Sequence, residues 1–510
     1  MLLFLITHDI KTLRWMNYED ADLIANNVGR GLRVLGQQSN QPLCIFADTR
    51  AEWMLSAQAC FKQSFPLVTL YTNLGDDAVV HGINEAEVET VITSHELLPK
   101  FKRILASTPT VKNIVYMENP IKTTSTDGKI FPLILFHNKC MNCEGYKEGV
   151  EMTSFWTVEA LGRKSDCSTD PVSPTPETPC IIMYTSGSTG NPKGVIITHS
   201  NIIRALNSYL YQLMDFTITE EDMYIGYLPL AHVLELIAEN TMLVFGVAVG
   251  YSTPNTLNDK STMIQRGAKG DATILKPTVI ACVPLVLERI YKGVNEGNHL
   301  LYQSRLKNRI IFLFKVVRKK GDFFENLFAF CVKYKMAATS RGETTPIMDK
   351  LIFRGVRALL GGRVRIILSG GAPLSPESHN FIRTCMGCPL MQGYGLTETC
   401  ACATLMAVDD MVSTGGTGAP VQGVSIRLVN WEEGNYRVTD KPRPRGEVLI
   451  SGGNVTAGYY KLPGKTEEEY FTDEAGRRWF RSGDIGQMEE DGALRIIDRK
   501  KDLVKLQVKY

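Results

Sequence analysis

The chain has 510 residues, which at about 100–200 residues per domain predicts several domains or subdomains. Hydrophobic residues make up 44% of it, as in a globular protein with a large core. The formal net charge of +2 gives no charge imbalance that would indicate a nucleic-acid partner. The apolar stretch Met1–Thr7 lacks a preceding basic region and is far shorter than the about 20 residues that span a bilayer, so neither a signal peptide nor a transmembrane segment is predicted.

The first part of the chain, residues 1–170, alternates helical and strand patterns. Apolar residues recur at helical spacing over Tyr18–Leu35 and Trp53–Phe61. Short apolar runs predict buried strands at Pro42–Ala47, Leu67–Leu70, Thr90–Thr93 and Asn113–Met117. This order predicts a parallel sheet covered by helices, hence an α/β fold. The stretch Ser168–Pro179 is rich in Ser, Thr and Pro, which is typical of a surface linker.

Two further parts follow the linker. Residues 171–414 form a second α/β part with a helix predicted over Asn201–Leu213 and strands at Cys180–Tyr184, Val195–Thr198, Tyr224–Leu230, Val279–Val283 and Val364–Leu368. In residues 415–497, short alternating strands are separated by Gly and Pro turns, as at Ser425–Val429, Glu447–Ser451 and Leu494–Ile497. That pattern predicts a small β-rich subdomain.

The loop between Tyr184 and Gly194 carries the strongest chemical signal. Its residues Thr185, Ser186, Gly187, Ser188, Thr189 and Gly190 are followed by Lys193. Glycines let the backbone approach an anion closely, and successive N–H groups and hydroxyls can then bind phosphate. A Walker A loop is excluded, because Pro192 stands where that motif requires glycine. The sequence therefore predicts a phosphate-binding loop, with a polar surface turn as the alternative.

A second segment runs from Gln392 to Glu398 and follows an apolar strand, at whose carboxyl end α/β proteins bind ligands. Its candidate nucleotide-binding residues are Gln392, Gly393, Tyr394, Gly395, Thr397 and Glu398. Tyr394 offers a ring for stacking on a purine, Thr397 a hydroxyl for phosphate, and Glu398 a carboxylate for Mg²⁺. Taken alone, the segment is also compatible with a plain glycine turn.

Three more positions fit the same nucleotide site. The turn containing Gly370, Gly371 and Ala372 follows a strand and suits backbone contact with an adenine edge. Asp484 can accept hydrogen bonds from ribose hydroxyls, and Arg499 can donate to ribose or phosphate. Each of these positions alone is equally compatible with an ordinary turn.

In this order and spacing, the segments resemble those of the AMP-forming adenylate superfamily. Tyr227–Glu235, Val283–Arg289 and Leu359–Gly362 resemble eukaryotic long-chain acyl-CoA synthetases in particular, and the resemblance covers residues 15–507. It implies a large AMP-binding domain of two sheet-and-helix subdomains with a small β-rich subdomain. It also implies a ligase that activates a long-chain fatty acid with MgATP to acyl-AMP and transfers the acyl group to coenzyme A, using Lys193, Thr397 and Glu398.

The resemblance also places His232 beside the acyl and adenylate pocket, where a hydrogen-bonded core histidine is the alternative. Val233, Leu234 and Leu236 would then line an acyl tunnel or pack in the core. Relative to the family, residues 498–510 read as a hinge and the start of a C-terminal α+β domain that is mostly absent. The alternative to a complete ligase is therefore a nucleotide- or fatty-acid-binding protein without full turnover. A Ser hydrolase is disfavoured because no G-x-S-x-G occurs.

Two other features bear on partners. Leu301–Ala337 interleaves basic and aromatic residues, which predicts docking on an anionic membrane surface, with an ordinary packed helix pair as the alternative. The resemblance implies the cytoplasmic face of intracellular membranes, either the endoplasmic reticulum or the mitochondrial outer membrane. The two C-x-x-C pairs, Cys140/Cys143 and Cys385/Cys388, are expected to be free thiols rather than metal ligands.

Overall fold

The computed structural model describes residues 2–5, 14–118, 146–164, 172–185, 191–296 and 321–502. Its helices are α1 Tyr18–Val34, α2 Ala51–Gln63, α3 Asp76–Glu85, α4 Leu98–Ile104, α5 Phe155–Lys164, α6 His199–Leu213, α7 Val233–Phe245, α8 Asp271–Leu275, α9 Pro284–Glu296, α10 Gly321–Ser340, α11 Pro346–Met348, α12 Arg354–Ala358, α13 Pro376–Met386 and α14 Pro463–Glu469. Within these described ranges, no helix is long and apolar enough to cross a bilayer.

The first half of the strands comprises β1 Leu2–Leu5, β2 Arg14–Asn17, β3 Leu43–Phe46, β4 Leu67–Thr69, β5 Thr90–Ser94, β6 Asn113–Met117, β7 Glu151–Ser154, β8 Pro179–Thr185, β9 Lys193–Thr198, β10 Met223–Gly226 and β11 Ala248–Tyr251. The second half comprises β12 Val279–Cys282, β13 Ile366–Ser369, β14 Leu390–Tyr394, β15 Thr404–Leu405, β16 Ala419–Pro420, β17 Val424–Val429, β18 Arg445–Gly452, β19 Gly458–Tyr459, β20 Tyr470–Thr472, β21 Arg478–Met488 and β22 Leu494–Arg499.

Two large sheets form the α/β part of the molecule. The first has the order β7-β6-β5-β3-β4-β8-β9-β19, and it is parallel from β7 to β8. The second has the order β2-β1-β11-β10-β12-β13-β14-β15-β16 and is parallel from β1 to β14. Strands β3, β5 and β12 are buried along their whole length, as expected for parallel strands covered on both faces. The predicted α/β fold is confirmed.

The third sheet is small and antiparallel. It has the order β17-β18-β21-β20, with β22 pairing β21, and all five strands lie between residues 424 and 499. The predicted β-rich subdomain is therefore confirmed. Two short strands from the same stretch of sequence, β16 and β19, pair instead with the large sheets.

The division at residue 170 stays a sequence-based prediction. Strands from both sides of that position pair in each large sheet: β4 with β8 in the first, and β1 with β11 in the second.

Two predicted boundaries were wrong. The strand predicted over Tyr224–Leu230 ends at Gly226, because the Thr49 hydroxyl donates to the Leu228 carbonyl and accepts from the Leu230 N–H, which draws this segment away from the sheet. The loop predicted to run to Gly194 ends before Lys193, which pairs with Thr185 at the start of β9. Lys193 is consequently held by a strand.

Candidate active site

A cavity of about 390 Å³ lies where the parallel strands β12, β13 and β14 end. Among the residues predicted for the nucleotide site, it is lined by Thr185, His232, Gly370, Gly371, Gly393, Tyr394, Gly395, Thr397, Glu398 and Arg499. Carboxyl ends of parallel strands meet at one edge of a sheet, which brings Ala281, Ser369 and Tyr394 together, while Thr185 and Arg499 come from the two other sheets. The cavity is closed on one side by α7.

The other predicted residues lie around this cavity or outside the described part. Gln392 and Asp484 are buried next to it, Lys193 is half-buried, and Ala372 is exposed after the turn. None of these four is part of the cavity wall. Ser186, Gly187, Ser188, Thr189 and Gly190 lie outside the described residues, so the phosphate-binding role of the loop stays a prediction.

Glu398 belongs to a cluster of charged and polar side chains at the rim of the cavity. The Tyr459 hydroxyl lies 2.8 Å from Glu398 Oε1 and also within hydrogen-bond reach of Glu469. The ammonium group of Lys193 sits 5.3 Å from the centre of the Tyr459 ring. Burial raises the pKa of Glu398 and lowers that of Lys193, because desolvation destabilises the charged form of each group. A phosphate on Lys193 and a cation on Glu398 would stabilise the charged forms.

The fit of Glu398 to a magnesium ion follows from its surroundings. The carboxylate lines the cavity, accepts the Tyr459 hydroxyl and has no Lys or Arg ion-pair partner among the described side chains. Mg²⁺ prefers carboxylate and phosphate oxygens, and Glu398 leaves acceptor positions for such an ion. No group of three or more His, Cys, Asp or Glu suited to a metal occurs in the described ranges. A magnesium ion here would therefore depend on Glu398 together with substrate phosphates.

Tyr394, Asp484 and Arg499 form a hydrogen-bonded triad beside the cavity. The Tyr394 hydroxyl donates to Asp484 Oδ2 at 2.7 Å, and Arg499 Nε lies 3.0 Å from Asp484 Oδ1. Asp484 and Arg499 face each other across the pair β21–β22. Burial raises the pKa of Asp484, although the Arg499 charge opposes this. Sequence reasoning assigned these three residues to one site but did not predict that they bind each other.

His232 lies in the cavity wall, and its role beside an acyl and adenylate pocket stays a prediction. It is the N-cap of α7, where its Nδ1 accepts a hydrogen bond from the Leu234 N–H at 3.0 Å, and it also lines the cavity. Its ring meets that of Tyr71 edge-on, with centroids 6.2 Å apart. Burial lowers the pKa of His232, which favours the neutral ring. With Nδ1 as acceptor, the neutral ring carries its proton on Nε2.

Helix α7 presents two different faces. Leu234, Ile237, Ala238, Thr241 and Met242 line the cavity. An adjacent face carries Glu235 and Glu239, both fully buried, with Glu235 accepting from the Tyr224 hydroxyl at 3.0 Å and Glu239 accepting from the Tyr251 hydroxyl. Their remaining oxygens have no partner in the described part of the chain, and both approach Gly226.

Several residues at or near the cavity were not predicted from the sequence. The apolar face of α7 recurs at positions i, i+3, i+4 and i+7, a signal that predicts a buried helix face but not a cavity. Leu236, for which the sequence left a tunnel wall or core packing open, packs in the core. Tyr71, Tyr209 and Leu213 come from other elements, and Tyr459 and Glu469 approach Glu398 from the far end of the chain. No local pattern marks these five residues.

The two cysteines of the described C-x-x-C pair, Cys385 and Cys388, are buried and free. Burial raises the pKa of the Cys388 thiol to about 12, so the thiol is protonated. Cys140 and Cys143 lie outside the described residues.

The chain belongs to the AMP-binding enzyme family, whose model matches residues 4–460. It is 41% identical to Long chain acyl-CoA synthetase 8 of Arabidopsis thaliana, over 97% of this chain and 64% of that protein. It is 34% identical to Fatty acyl-CoA synthetase A of Dictyostelium discoideum, over 97% of this chain and 66% of that protein. The predicted resemblance to long-chain acyl-CoA synthetases is confirmed.

A solved structure has the same fold. The crystal structure of a long-chain-fatty-acid-CoA ligase from Archaeoglobus fulgidus matches 99% of this chain and 81% of its own, with a TM-score of 0.67 and 18% sequence identity. The chain thus spans a little under two thirds of the length of the two curated relatives above.

Proposed function

We propose that this protein is a long-chain fatty acid–CoA ligase, which uses MgATP to form an acyl-AMP and then transfers the acyl group to coenzyme A. The observation that carries the proposal is that one cavity is lined both by Thr397, Glu398 and Arg499 and by the apolar residues of α7. A nucleotide phosphate and the carboxyl end of an acyl chain would be neighbours in such a cavity. The relatives named as fatty acyl-CoA synthetases support the same assignment.

In the first step, a carboxylate oxygen of the fatty acid attacks the α-phosphorus of ATP, and pyrophosphate leaves. A carboxylate is a poor acyl donor, whereas the mixed anhydride carries AMP as a leaving group. We assign phosphate contacts to Lys193 and Thr397, with the loop at Thr185–Gly190 supplying N–H groups and hydroxyls. These residues act by positioning and charge neutralisation, which dominate phosphoryl-type transfer. Mg²⁺ held by Glu398 would supply further charge neutralisation on the phosphates.

In the second step, the sulfur of coenzyme A attacks the acyl carbon and AMP leaves, so a thioester forms and the thiol proton is released. The triad of Tyr394, Asp484 and Arg499 is assigned to the nucleoside, because it borders the cavity next to the Gly370–Gly371 turn. His232 is assigned to the reacting carboxylate, since it lines the cavity with a neutral ring and a proton on Nε2.

The acyl chain is assigned to the part of the cavity bordered by α6 and α7. Leu213, Leu234, Ile237, Ala238 and Met242 provide its apolar wall. Burying a CH₂ group contributes about 0.8 kcal/mol, so a long chain gains binding energy from each carbon that the wall covers. This gradient favours a long-chain acid over acetate.

The assignment is tested by measuring pyrophosphate release and acyl-CoA formation with palmitate, ATP, Mg²⁺ and coenzyme A. Wild type is expected to form acyl-CoA, and Glu398→Gln to lower the rate by about 100-fold or more, as expected when a transition-state contact is lost. Glu474→Gln, which removes an exposed carboxyl group, is the matched control. ATP binding without pyrophosphate release would refute the ligase and support a binding protein without turnover.

We also propose that the enzyme works on the cytoplasmic face of an intracellular membrane, docked through Leu301–Ala337. Residues 301–320 lie outside the described ranges, and the described part of α10 exposes Phe330 and Tyr334, four positions apart on the helix. Aromatic side chains at that spacing lie on one face and suit a membrane interface. Flotation with phosphatidylserine liposomes tests the proposal: replacing Lys315, Arg318, Lys319 and Lys320 by alanine is expected to abolish flotation, and unchanged flotation would refute it.

A further inference from the structure

A second cavity, of about 570 Å³, lies away from the nucleotide site. It is bounded by the C-terminal half of α10, the segment that leads into α11, the outer face of α13 and the loop at Met411–Val412. It shares no lining residue with the first cavity. Its wall carries Lys335 and Arg383, which are only 5% and 4% exposed.

Among the described residues, the cavity wall carries three cationic side chains, Lys333, Lys335 and Arg383, and two carboxylates, Asp349 and Glu343, of which Glu343 is paired with Arg341. Lys335 and Arg357 both contact the same carboxylate, that of Asp349, with Arg357 Nη2 at 2.9 Å. Both cationic groups also lie within 3.0 Å of the position that a side-chain Cβ on Gly387 would take. Two like charges are therefore held close together by one acid, in a partly buried place where such charge is costly.

Arg383 adds a third positive charge. Its guanidinium donates to the carbonyls of Asp410, Val412 and Ser413 and to Asn380 Oδ1, all of them neutral acceptors. Burial lowers the pKa of Arg383, and the Asp410 carboxylate opposes this from a distance. Arg383 thus holds the loop at residues 410–413 in place and contributes charge to the cavity.

Two buried polar atoms at this site have no hydrogen-bond partner in the described part of the structure: Thr345 Oγ1, which belongs to the cavity wall, and Arg357 Nε beside it. Buried donors of this kind cost about 1–3 kcal/mol when they stay unsatisfied. Further hydroxyl groups in the wall come from Thr339, Ser340, Thr344 and Thr384. The arrangement combines excess positive charge with unsatisfied donors.

From this geometry we propose that the second cavity binds a phosphate-bearing anion. A phosphate has three or more acceptor oxygens and up to two negative charges, which would balance Lys335 and Arg357 together and accept from Thr345. The cavity is large enough for a phosphate with a small organic group attached. The proposal does not depend on the ligase reaction, since no residue of the first cavity takes part.

The experiment is a calorimetric titration of the wild-type protein with inorganic phosphate, repeated with Lys335→Met and Thr345→Val. Loss of a charged contact or a hydroxyl donor is expected to weaken phosphate binding by about ten-fold or more in Lys335→Met and several-fold in Thr345→Val. Lys350→Met, an exposed lysine one residue from Asp349, is the control for the charge change. Circular dichroism verifies that each variant is folded. If Lys335→Met fails to fold, Thr345→Val, which keeps the side-chain shape, tests the proposal on its own.

Lys193→Met distinguishes the two cavities. If phosphate binding disappears in Lys193→Met and survives in Lys335→Met, the anion binds at the nucleotide site and the proposal is wrong. Binding of neither phosphate nor phosphatidic acid vesicles, or binding that Lys335→Met and Thr345→Val both leave unchanged, also overturns the proposal. A parallel titration with phosphatidic acid vesicles distinguishes free phosphate from a lipid headgroup. If the protein binds the vesicles but not inorganic phosphate, and Lys335→Met and Thr345→Val lose vesicle binding, the anion is a lipid headgroup.

Discussion

The buried pair Glu235 and Glu239 makes stability depend on pH. Burial raises the pKa of Glu239 from 4.5 to about 8, so the folded protein holds a proton that the unfolded chain releases. For an acid whose pKa is raised by folding, the free energy of unfolding is highest below the pKa of the unfolded chain. It falls as the pH rises from that pKa towards the folded pKa of about 8. Glu239→Gln keeps an acceptor for Tyr251 and removes the titration.

The size of the effect follows from the shift. Each pKa unit corresponds to about 1.4 kcal/mol, so the free energy of unfolding of wild type should fall by about 2.5 kcal/mol relative to Glu239→Gln between about pH 5.5 and about pH 7.5. The measurement is the urea midpoint, followed by tryptophan fluorescence, for both proteins across this range. Glu221→Gln, an exposed carboxyl group, should track wild type. Parallel curves for wild type and Glu239→Gln would refute the reasoning.

Two further substitutions test the packing and the ion pairs. Gly162→Ala should destabilise the protein by about 2 kcal/mol or more, because its Cβ would lie 1.8 Å from the Asn27 carbonyl oxygen where α5 crosses α1; thermal unfolding measures this. Arg365→Met should cost about 3 kcal/mol at neutral pH by leaving the buried Asp222 carboxylate without its cation. Burial of Asp222 raises its pKa, but hydrogen bonds from Arg365 and Thr278 outweigh burial and hold this pKa below its usual value. The stability cost of Arg365→Met should therefore shrink as pH falls towards about 4.

Matched controls accompany these two substitutions. Gly464→Ala adds a Cβ in open space on α14 and should leave the thermal midpoint unchanged or raise it slightly. Arg437→Met removes a cation whose partner, Glu432, is exposed, and should cost less than about 1 kcal/mol. Equal effects of Gly162→Ala and Gly464→Ala, or of the two arginine variants, would contradict the assigned contacts.

The sequence predicted the strand at Asn113–Met117 with the bounds that the structure has. Its apolar residues are mostly buried and are flanked by polar turns, a pattern that favours a strand. Sequence reasoning failed at Tyr224–Leu230, where the side chain of Thr49, 179 residues away from Leu228, competes for the backbone groups. Local patterns carry no information on such distant partners.

The same limit applies to the cavity. Glycine- and hydroxyl-rich turns at the ends of strands marked Gly370, Gly393 and Thr397 as neighbours, because the topology of parallel sheets brings those ends together. The partners of the charged groups were not predictable: Tyr459 meets Glu398 only through the position of β19, and Tyr394 binds Asp484 across two sheets. Those contacts depend on how the sheets meet.

Strand β19 has a consequence for the order in which the chain folds. The hairpin of β8 and β9 is complete by residue 198, yet the outer edge of β9 is covered only when Gly458 and Tyr459 pair with Val195 and Ile196. During synthesis, that edge presents unpaired N–H and C=O groups while about 260 further residues are made, and an exposed edge of this kind invites association with other chains. The contact between Lys193 and the Tyr459 ring forms in the same late step. Nascent chains that stop before residue 458 should therefore hold a hairpin with an open edge and depend on chaperones until β19 is made.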